Sequence, residues 1–182
     1  MASSLKRVYW DACAWIALIQ KEKIPKPGGK IEDRDQMCRG VIEAAKKGNV
    51  EILTSALCLA EVCKNPGLVK TQTSDKVAAF FERDFIFVIN VDTAVGEKAR
   101  ELMMGGYAGL KPPDAIHLAT ALLSPSVEEL HTFDGRLLDL DGLLKKPTGE
   151  PLKICKPDYG PPAPLLEQLN AEKPAPEAHP EG

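Results

Sequence analysis

Residues 8–19 read VYWDACAWIALI, an apolar and aromatic run that one carboxylate divides in two. The part before Asp11 is typical of a buried central strand in a sheet that is covered on both faces. The part after it carries apolar residues at helical spacing. A strand that turns directly into a helix leaves its last side chain at the carboxyl edge of the sheet, where open α/β folds place their sites. We therefore expect Asp11 to be an exposed site residue, and the alternative is an ordinary helix N-cap.

Strand and helix patterns alternate along most of the chain. The predicted strands are residues 50–54, 85–91 and 129–133; the predicted helices are residues 33–47, the segment from Ser55 to the stop at residues 65–67, and residues 74–84, 93–104 and 112–123. Residues 21–30, with two prolines and two glycines, are interpreted as an exposed loop. Residues 85–91 (FIFVINV) are the clearest strand, and the pattern weakens beyond Asp139. This alternation implies an α/β fold with a parallel sheet between helical layers.

Length and composition favour one domain with an appendage. The chain has 182 residues and a net charge of −3. We assign residues 1–155 to the domain and residues 156–182, rich in Pro, Ala and Glu, to an extended or disordered tail. The tail carries −3, so the domain is neutral and lacks the basic signature of many nucleic-acid binders. Five cysteines without paired spacing, and no leader or membrane-length apolar run, predict a reduced, cytoplasmic protein without a membrane partner.

Four acids share a structural description. Asp11 and Asp134 each follow a predicted strand. Glu61 and Asp114 lie on helices that follow or approach the same sheet edge, and Glu61 interrupts an apolar stretch, ALCLAEVC, on a helix that we expect to be buried. Two like charges about 4 Å apart repel by roughly 4 kcal/mol at an effective dielectric of 20, so converging acids need a cation. Oxygen ligands without His or Cys favour Mg²⁺ or Mn²⁺.

Four segments, in this order and spacing, resemble the PIN-domain ribonucleases, a family that includes the VapC-like toxins of bacterial and archaeal toxin–antitoxin pairs. The segments are VYWDACAWIALI, TSALCLAEVCKN, KPPDAIHLATAL and LHTFDGRLL, within residues 6–140. The family's four acids fall on Asp11, Glu61, Asp114 and Asp134, and its hydroxyl residue two before the last acid falls on Thr132. Many members carry Ser or Thr two residues after the first acid, where this chain has Cys13.

The resemblance implies a three-layer α/β/α PIN-like fold with a central parallel sheet of four or five strands. It also implies a Mg²⁺- or Mn²⁺-dependent endoribonuclease that hydrolyses RNA phosphodiester bonds and leaves a 5′-phosphate and a 3′-hydroxyl. Asp11 and Asp114 are then direct metal ligands, whereas Glu61 and Asp134 bind a second ion or hold metal-bound water. A role as the toxin of a type II toxin–antitoxin pair, an antitoxin partner and a homodimer stay open at this stage.

Several basic residues lie close in sequence to the acids. Lys64, Lys111 and Arg136 are candidate contacts to the RNA backbone, which attracts cations whatever its sequence, and the alternative is ordinary solvated charge. His117 and His131 are also near the acids in sequence. For both histidines we favour a packing or surface role over a contact with substrate.

Two other functional classes remain. In the first, the domain is a catalytically silent PIN-like interaction module whose acids bind no metal. In the second, it is a phosphatase with Asp11 as the nucleophile, although haloacid-dehalogenase-like enzymes have a second Asp at the position of Cys13. Metal titration distinguishes the first alternative, and trapping of a phosphoenzyme distinguishes the second.

Overall fold

The structure is a computed structural model that describes residues 5–63 and 78–159. Its strands, in chain order, are β1 (Lys6–Trp10), β2 (Lys23–Pro25), β3 (Ile31–Asp33), β4 (Val50–Ser55), β5 (Ile86–Ile89), β6 (Glu129–His131) and β7 (Lys153–Cys155). Five of them form a parallel sheet in the order β5-β4-β1-β6-β7, with β1 at the centre. The parallel sheet predicted from the sequence is confirmed, with five strands.

Helices cover both faces of this sheet. They are α1 (Ala12–Gln20), α2 (Arg34–Lys46), α3 (Leu57–Val62), α4 (Thr93–Met104), α5 (Pro112–Leu123) and α6 (Gly135–Leu138), and residues 78–81 are also helical. Consecutive strand side chains point to opposite faces. Val8 and Trp10 accordingly join the core that contains α1 and α2, whereas Tyr9 joins the core that contains α4 and α5. The result is a three-layer α/β/α domain.

Local signals explain where the long helices begin. Asp33 caps α2 by accepting from the backbone N–H of Gln36, and Asp92 caps α4 by accepting from that of Val95, each at 2.9 Å. A side-chain oxygen at this position satisfies one of the four N–H groups that a helix start leaves unbonded. None of the helices within the described ranges is long and apolar enough to cross a membrane.

Residues 21–30, predicted to be an exposed loop, are indeed largely exposed, but they include one strand of a hairpin that was not predicted. Strands β2 and β3 form an antiparallel hairpin in which Lys23 pairs with Asp33 and Pro25 with Ile31. Gly28 and Gly29 have φ values of +79° and +73°, which only glycine adopts without strain, and they allow the tight turn between the strands. The prolines suggested a loop, but a short two-stranded edge tolerates them.

The two edge strands of the main sheet are β5 and β7, and the sequence pattern did not identify either of them as an edge. The weak pattern beyond Asp139 hides β7, which pairs in parallel with β6 (His131 opposite Cys155). The predicted strand at residues 85–91 is confirmed over Ile86–Ile89 as β5, an edge strand in which Phe87 is 42% exposed. The first part of the predicted helix 74–84 and nearly all of the tail 156–182 lie outside the described residues.

Candidate functional site

The carboxyl ends of β1 and β6 bring two of the predicted acids to one edge of the sheet. Because these strands are parallel neighbours, Asp11 and Asp134 emerge on the same side. The hydroxyl of Thr132 lies between them: it donates to Asp11 Oδ2 at 2.5 Å and accepts from the backbone N–H of Asp134 at 2.9 Å. The residue that was predicted to support the acids therefore links two of them directly.

Asp11 is buried, with only 2% of its surface exposed, so the expectation of an exposed side chain was wrong. Its Oδ1 accepts from the backbone N–H of Ala14 at 3.1 Å, which makes it the N-cap of α1, while Thr132 covers Oδ2. Burial raises the pKa of Asp11 to about 6, although the charge of His117 and the Thr132 hydrogen bond act in the opposite direction. The capping role and a place in the acidic cluster coexist in one residue.

Arg136 holds the third and fourth acids together. Its guanidinium Nη2 lies 2.6 Å from Asp134 Oδ2 and 3.8 Å from Asp114 Oδ2. The hydrogen bond from Arg136 lowers the pKa of Asp134, which also caps α6. The pKa of Asp114 is raised, first by burial and then by the charge of Asp134. Arg136 therefore supplies positive charge between two carboxylates in this structure, and its predicted contact with RNA stays a prediction.

Glu61 reaches the same region from α3. The helix is less buried than expected, since Leu59 is 41% exposed, and the Glu61 side chain retains 13% exposure. Glu61 Oε2 lies 2.7 Å from His117 Nε2, and His117 Nδ1 lies 2.8 Å from the Tyr9 hydroxyl. His117 is 3% exposed and is thus a packed side chain, as the sequence favoured. Tyr9 was not singled out from the sequence.

All four acids lie close enough to the Cys13 thiol to affect its pKa. Burial raises the pKa of the Cys13 thiol above its ordinary value, and the charges of Asp11, Asp134, Asp114 and Glu61 each raise it further. Cys13 stands two residues after Asp11, in the first turn of α1. A thiol kept protonated in this way is a small neutral group beside the carboxylates.

The donor set fits a hard divalent cation. It consists of carboxylate oxygens, which are the ligands that Mg²⁺ and Mn²⁺ prefer. Burial raises the pKa of Asp114, and the charge of Asp134 raises it further although Arg136 acts in the opposite direction. The four acids are not tightly gathered. Within the described ranges, one group of three His, Cys, Asp or Glu residues has ligand atoms that all lie within 4.8 Å of one another, and none of the four acids belongs to it. The roles assigned to the four acids from the sequence stay predictions.

That trio, Glu129, His131 and Cys155, is better explained as an ion-pair network. Lys153 and Lys6 place their ammonium groups 2.6 and 2.9 Å from Glu129 Oε1, and His131 Nε2 lies 3.0 Å from Glu129 Oε2. These partners lower the pKa of Glu129, and the His131 bond has the largest effect. Because two lysines already compensate the carboxylate, the network does not require a metal ion.

The other two residues predicted to contact RNA are Lys111 and Lys64. Lys111 is exposed just before α5, and its backbone N–H donates to Asp114 Oδ2 at 3.4 Å. Lys64 lies outside the described residues. The contact between Glu61 and His117 was missed, although the spacing of His117 three residues after Asp114 already places both on one face of α5.

Thr132→Val is expected to destabilise the protein by about 1–3 kcal/mol. The valine removes the donor to the buried Asp11 carboxylate and leaves the backbone N–H of Asp134 without this acceptor. The free energy of unfolding in urea at pH 7 measures the effect. Thr148→Val, which removes an exposed hydroxyl, is the matched control and should stay within about 0.5 kcal/mol of the parent. Equal stability of the two variants would contradict the proposed link.

The five-stranded parallel sheet, the two helical layers and the acids at the carboxyl edge define the PIN-like class of α/β/α domains. Among solved structures, the chain is similar to VapC20 of Mycobacterium tuberculosis, a toxin that cleaves the sarcin-ricin loop, with a TM-score of 0.52 and 18% sequence identity. The match covers 70% of this chain and 90% of that chain. No family model and no curated protein matches the sequence. The PIN-like fold predicted from the resemblance is confirmed.

Proposed function

We propose that this protein is a Mg²⁺- or Mn²⁺-dependent endoribonuclease that hydrolyses RNA phosphodiester bonds. The observation that carries the proposal is that Asp11, Glu61, Asp114 and Asp134 come together at one edge of the sheet. Thr132 links Asp11 to Asp134, and Arg136 lies against both Asp134 and Asp114. The charges of all four acids also affect the pKa of Cys13. Four acids from separate parts of the sequence have no need to meet for folding alone, because their mutual repulsion opposes it. A divalent cation that binds these acids and a phosphate oxygen of the substrate would explain why they lie together.

The residues divide the work according to their contacts. Asp11 and Asp114 would hold a cation directly, and Glu61 and Asp134 would bind a second ion or orient water. When bound, the metal would lower the pKa of a water molecule and offset charge on the phosphate. Thr132 donates to one carboxylate oxygen of Asp11 and the backbone N–H of Ala14 donates to the other, so both hold the side chain in place. Lys111 is exposed just before α5, and its charge would attract the RNA backbone.

The likeness to VapC20 supports a narrower proposal, that the protein is the toxin of a type II toxin–antitoxin pair and acts in the cytoplasm. Its substrate is then an RNA and its partner an antitoxin protein. The match at 18% identity concerns the fold, so the particular RNA is left unassigned.

Incubation of the purified chain with a pool of labelled RNAs tests the proposal. Cleavage is expected with Mg²⁺ and with Mn²⁺, and it should stop when EDTA removes the metal. Products should carry a 5′-phosphate and a 3′-hydroxyl, which end-specific enzymes can distinguish. Cleavage that persists in EDTA would argue against metal dependence, and intact RNA under every condition would favour the alternative below.

The second candidate is a catalytically silent PIN-like interaction module. Arg136 is the observation that favours it, because its guanidinium already pairs with Asp134 and lies 3.8 Å from Asp114. In a silent module this arginine would take the place of the metal. Such a protein would neither cleave RNA nor bind Mn²⁺ at the acidic cluster.

A further inference from the structure

The contacts behind Glu61 extend from the acidic cluster to the centre of the sheet. His117 lies on α5 with its ring between Glu61 of α3 and Tyr9 of β1, at 2.7 and 2.8 Å. Tyr9 is fully buried and packs against the His117 ring edge-on, with centroids 5.9 Å apart. The three side chains form one continuous hydrogen-bonded row, and the end at Tyr9 is fixed in the core.

The direction of these bonds follows from the partners. A carboxylate only accepts, so His117 Nε2 carries the hydrogen that points to Glu61, and Nδ1 makes the hydrogen bond with the Tyr9 hydroxyl. A tyrosine hydroxyl carries a hydrogen at neutral pH and can both donate and accept, so it fits the ring whether or not Nδ1 carries a hydrogen. Both ring nitrogens of His117 are therefore engaged, Nδ1 with Tyr9 and Nε2 with Glu61.

Glu61 has a different position in its helix from the other acids. Asp11 and Asp134 are N-caps and Asp114 accepts from the N–H just before α5, so backbone groups at helix starts orient all three. Glu61 stands one residue before the end of α3, where the helix N–H groups are already bonded within the helix. A side chain from another element is suited to orient it.

We propose that His117, held by Tyr9, is a positioning residue that fixes the Glu61 carboxylate for cation binding. The inference rests on the proposed function, since it assumes that Glu61 takes part in holding the metal. A partner that orients a ligating carboxylate typically contributes a factor of about 10–100 to metal affinity. His117 is neither a ligand nor a contact to RNA in this role, because its two ring nitrogens are both occupied.

Titration of the full chain with Mn²⁺ tests the proposal without relying on activity. His117→Leu keeps the apolar volume but removes the donor, and it should weaken Mn²⁺ binding about tenfold or more. His117→Gln retains an N–H for Glu61 and should stay within about threefold of the parent. Tyr9→Phe keeps the ring and the packing but removes one hydrogen bond to His117. Its affinity for Mn²⁺ should fall about three- to tenfold, the contribution of one hydrogen bond. If His117→Leu fails to fold, this variant decides the question.

Two further comparisons separate positioning from general damage. On a Glu61→Gln background, His117→Leu should cause no further loss of affinity, because the carboxylate that it orients is gone. His131→Gln is the matched control: it alters the other buried histidine, which bonds to Glu129 and Trp10, and it should lower stability without changing Mn²⁺ affinity.

The outcomes distinguish the inference from the function on which it rests. Mn²⁺ binding by His117→Leu within about twofold of the parent, with RNA cleavage intact, would overturn the inference alone. An equal loss with and without the Glu61 carboxylate would also overturn it. A parent that binds no Mn²⁺ would overturn both the inference and the metal-dependent reaction.

Discussion

Asp11→Asn is expected to abolish metal-dependent RNA cleavage in a protein that remains folded. The asparagine keeps an oxygen for the backbone N–H of Ala14 but removes the charge that a metal ion needs. Because a bound metal supplies several kcal/mol of transition-state stabilisation, the rate should fall about a thousandfold or more, to background. The measurement is the rate of cleavage of a labelled RNA at saturating Mg²⁺.

Asp84→Asn is the matched control, since it removes one negative charge from an exposed position away from the acidic cluster. It should cleave RNA at the parental rate. Circular dichroism should show that both variants are folded. Parental activity in the Asp11 variant would exclude this residue from the reaction, and activity that survives in both variants and in EDTA would reveal a contaminating nuclease.

The stability of the metal-free protein should fall as pH rises from about 4 to 6, through Asp11. Its pKa is 3.8 in the unfolded chain and about 6 in the folded protein, so in this window the folded state binds more protons. The contribution is fully present below pH 3.8 and is lost above about pH 6. A shift of roughly two pKa units corresponds to about 3 kcal/mol.

The difference between the parent and Asp11→Asn isolates this contribution. Carboxylates whose pKa values are lowered, such as Glu129 and Asp134, act in the opposite direction, but they are present in both proteins and cancel. The measurement is urea unfolding at several pH values with chelator present. Between pH 4 and 7, the free energy of unfolding of the Asn variant should rise by about 3 kcal/mol relative to that of the parent. Asp84→Asn should follow the parent. A constant difference in stability across this range would mean that folding does not raise the pKa of Asp11.

Elements with strong local patterns could be predicted from the sequence. The helix predicted at residues 93–104 has the same bounds in the structure, because an Asp cap precedes it and a Gly-Gly pair follows it. The strand at residues 50–54 ends one residue later than expected. Strand β7 could not be predicted, because its three residues carry no periodicity and are extended only through pairing with β6. The edge position of β5 likewise depends on the order of strands, which no local window records.

The acids of the candidate site were recognisable because each stands at the end of a strand or on a short motif. Their surroundings were not, since these depend on residues far away in the chain. Asp11 is covered by Thr132, 121 positions later, and Glu61 is oriented by His117, 56 positions later. The pairing of Arg136 with Asp134 is local, but its approach to Asp114 requires the folded sheet edge. Burial and hydrogen-bond partners are tertiary properties.

The central place of β1 has a consequence for translation. Of the strands described here, β1 is synthesised before the others, yet it obtains its second neighbour only when residues 129–131 of β6 have been made. Asp134 follows directly, so the four acids cannot gather on any chain that ends before it. Because domains fold as units during synthesis, the acidic cluster arises late and all at once. The ribosome must therefore synthesise the chain as far as Asp134 before the protein can contain an assembled site.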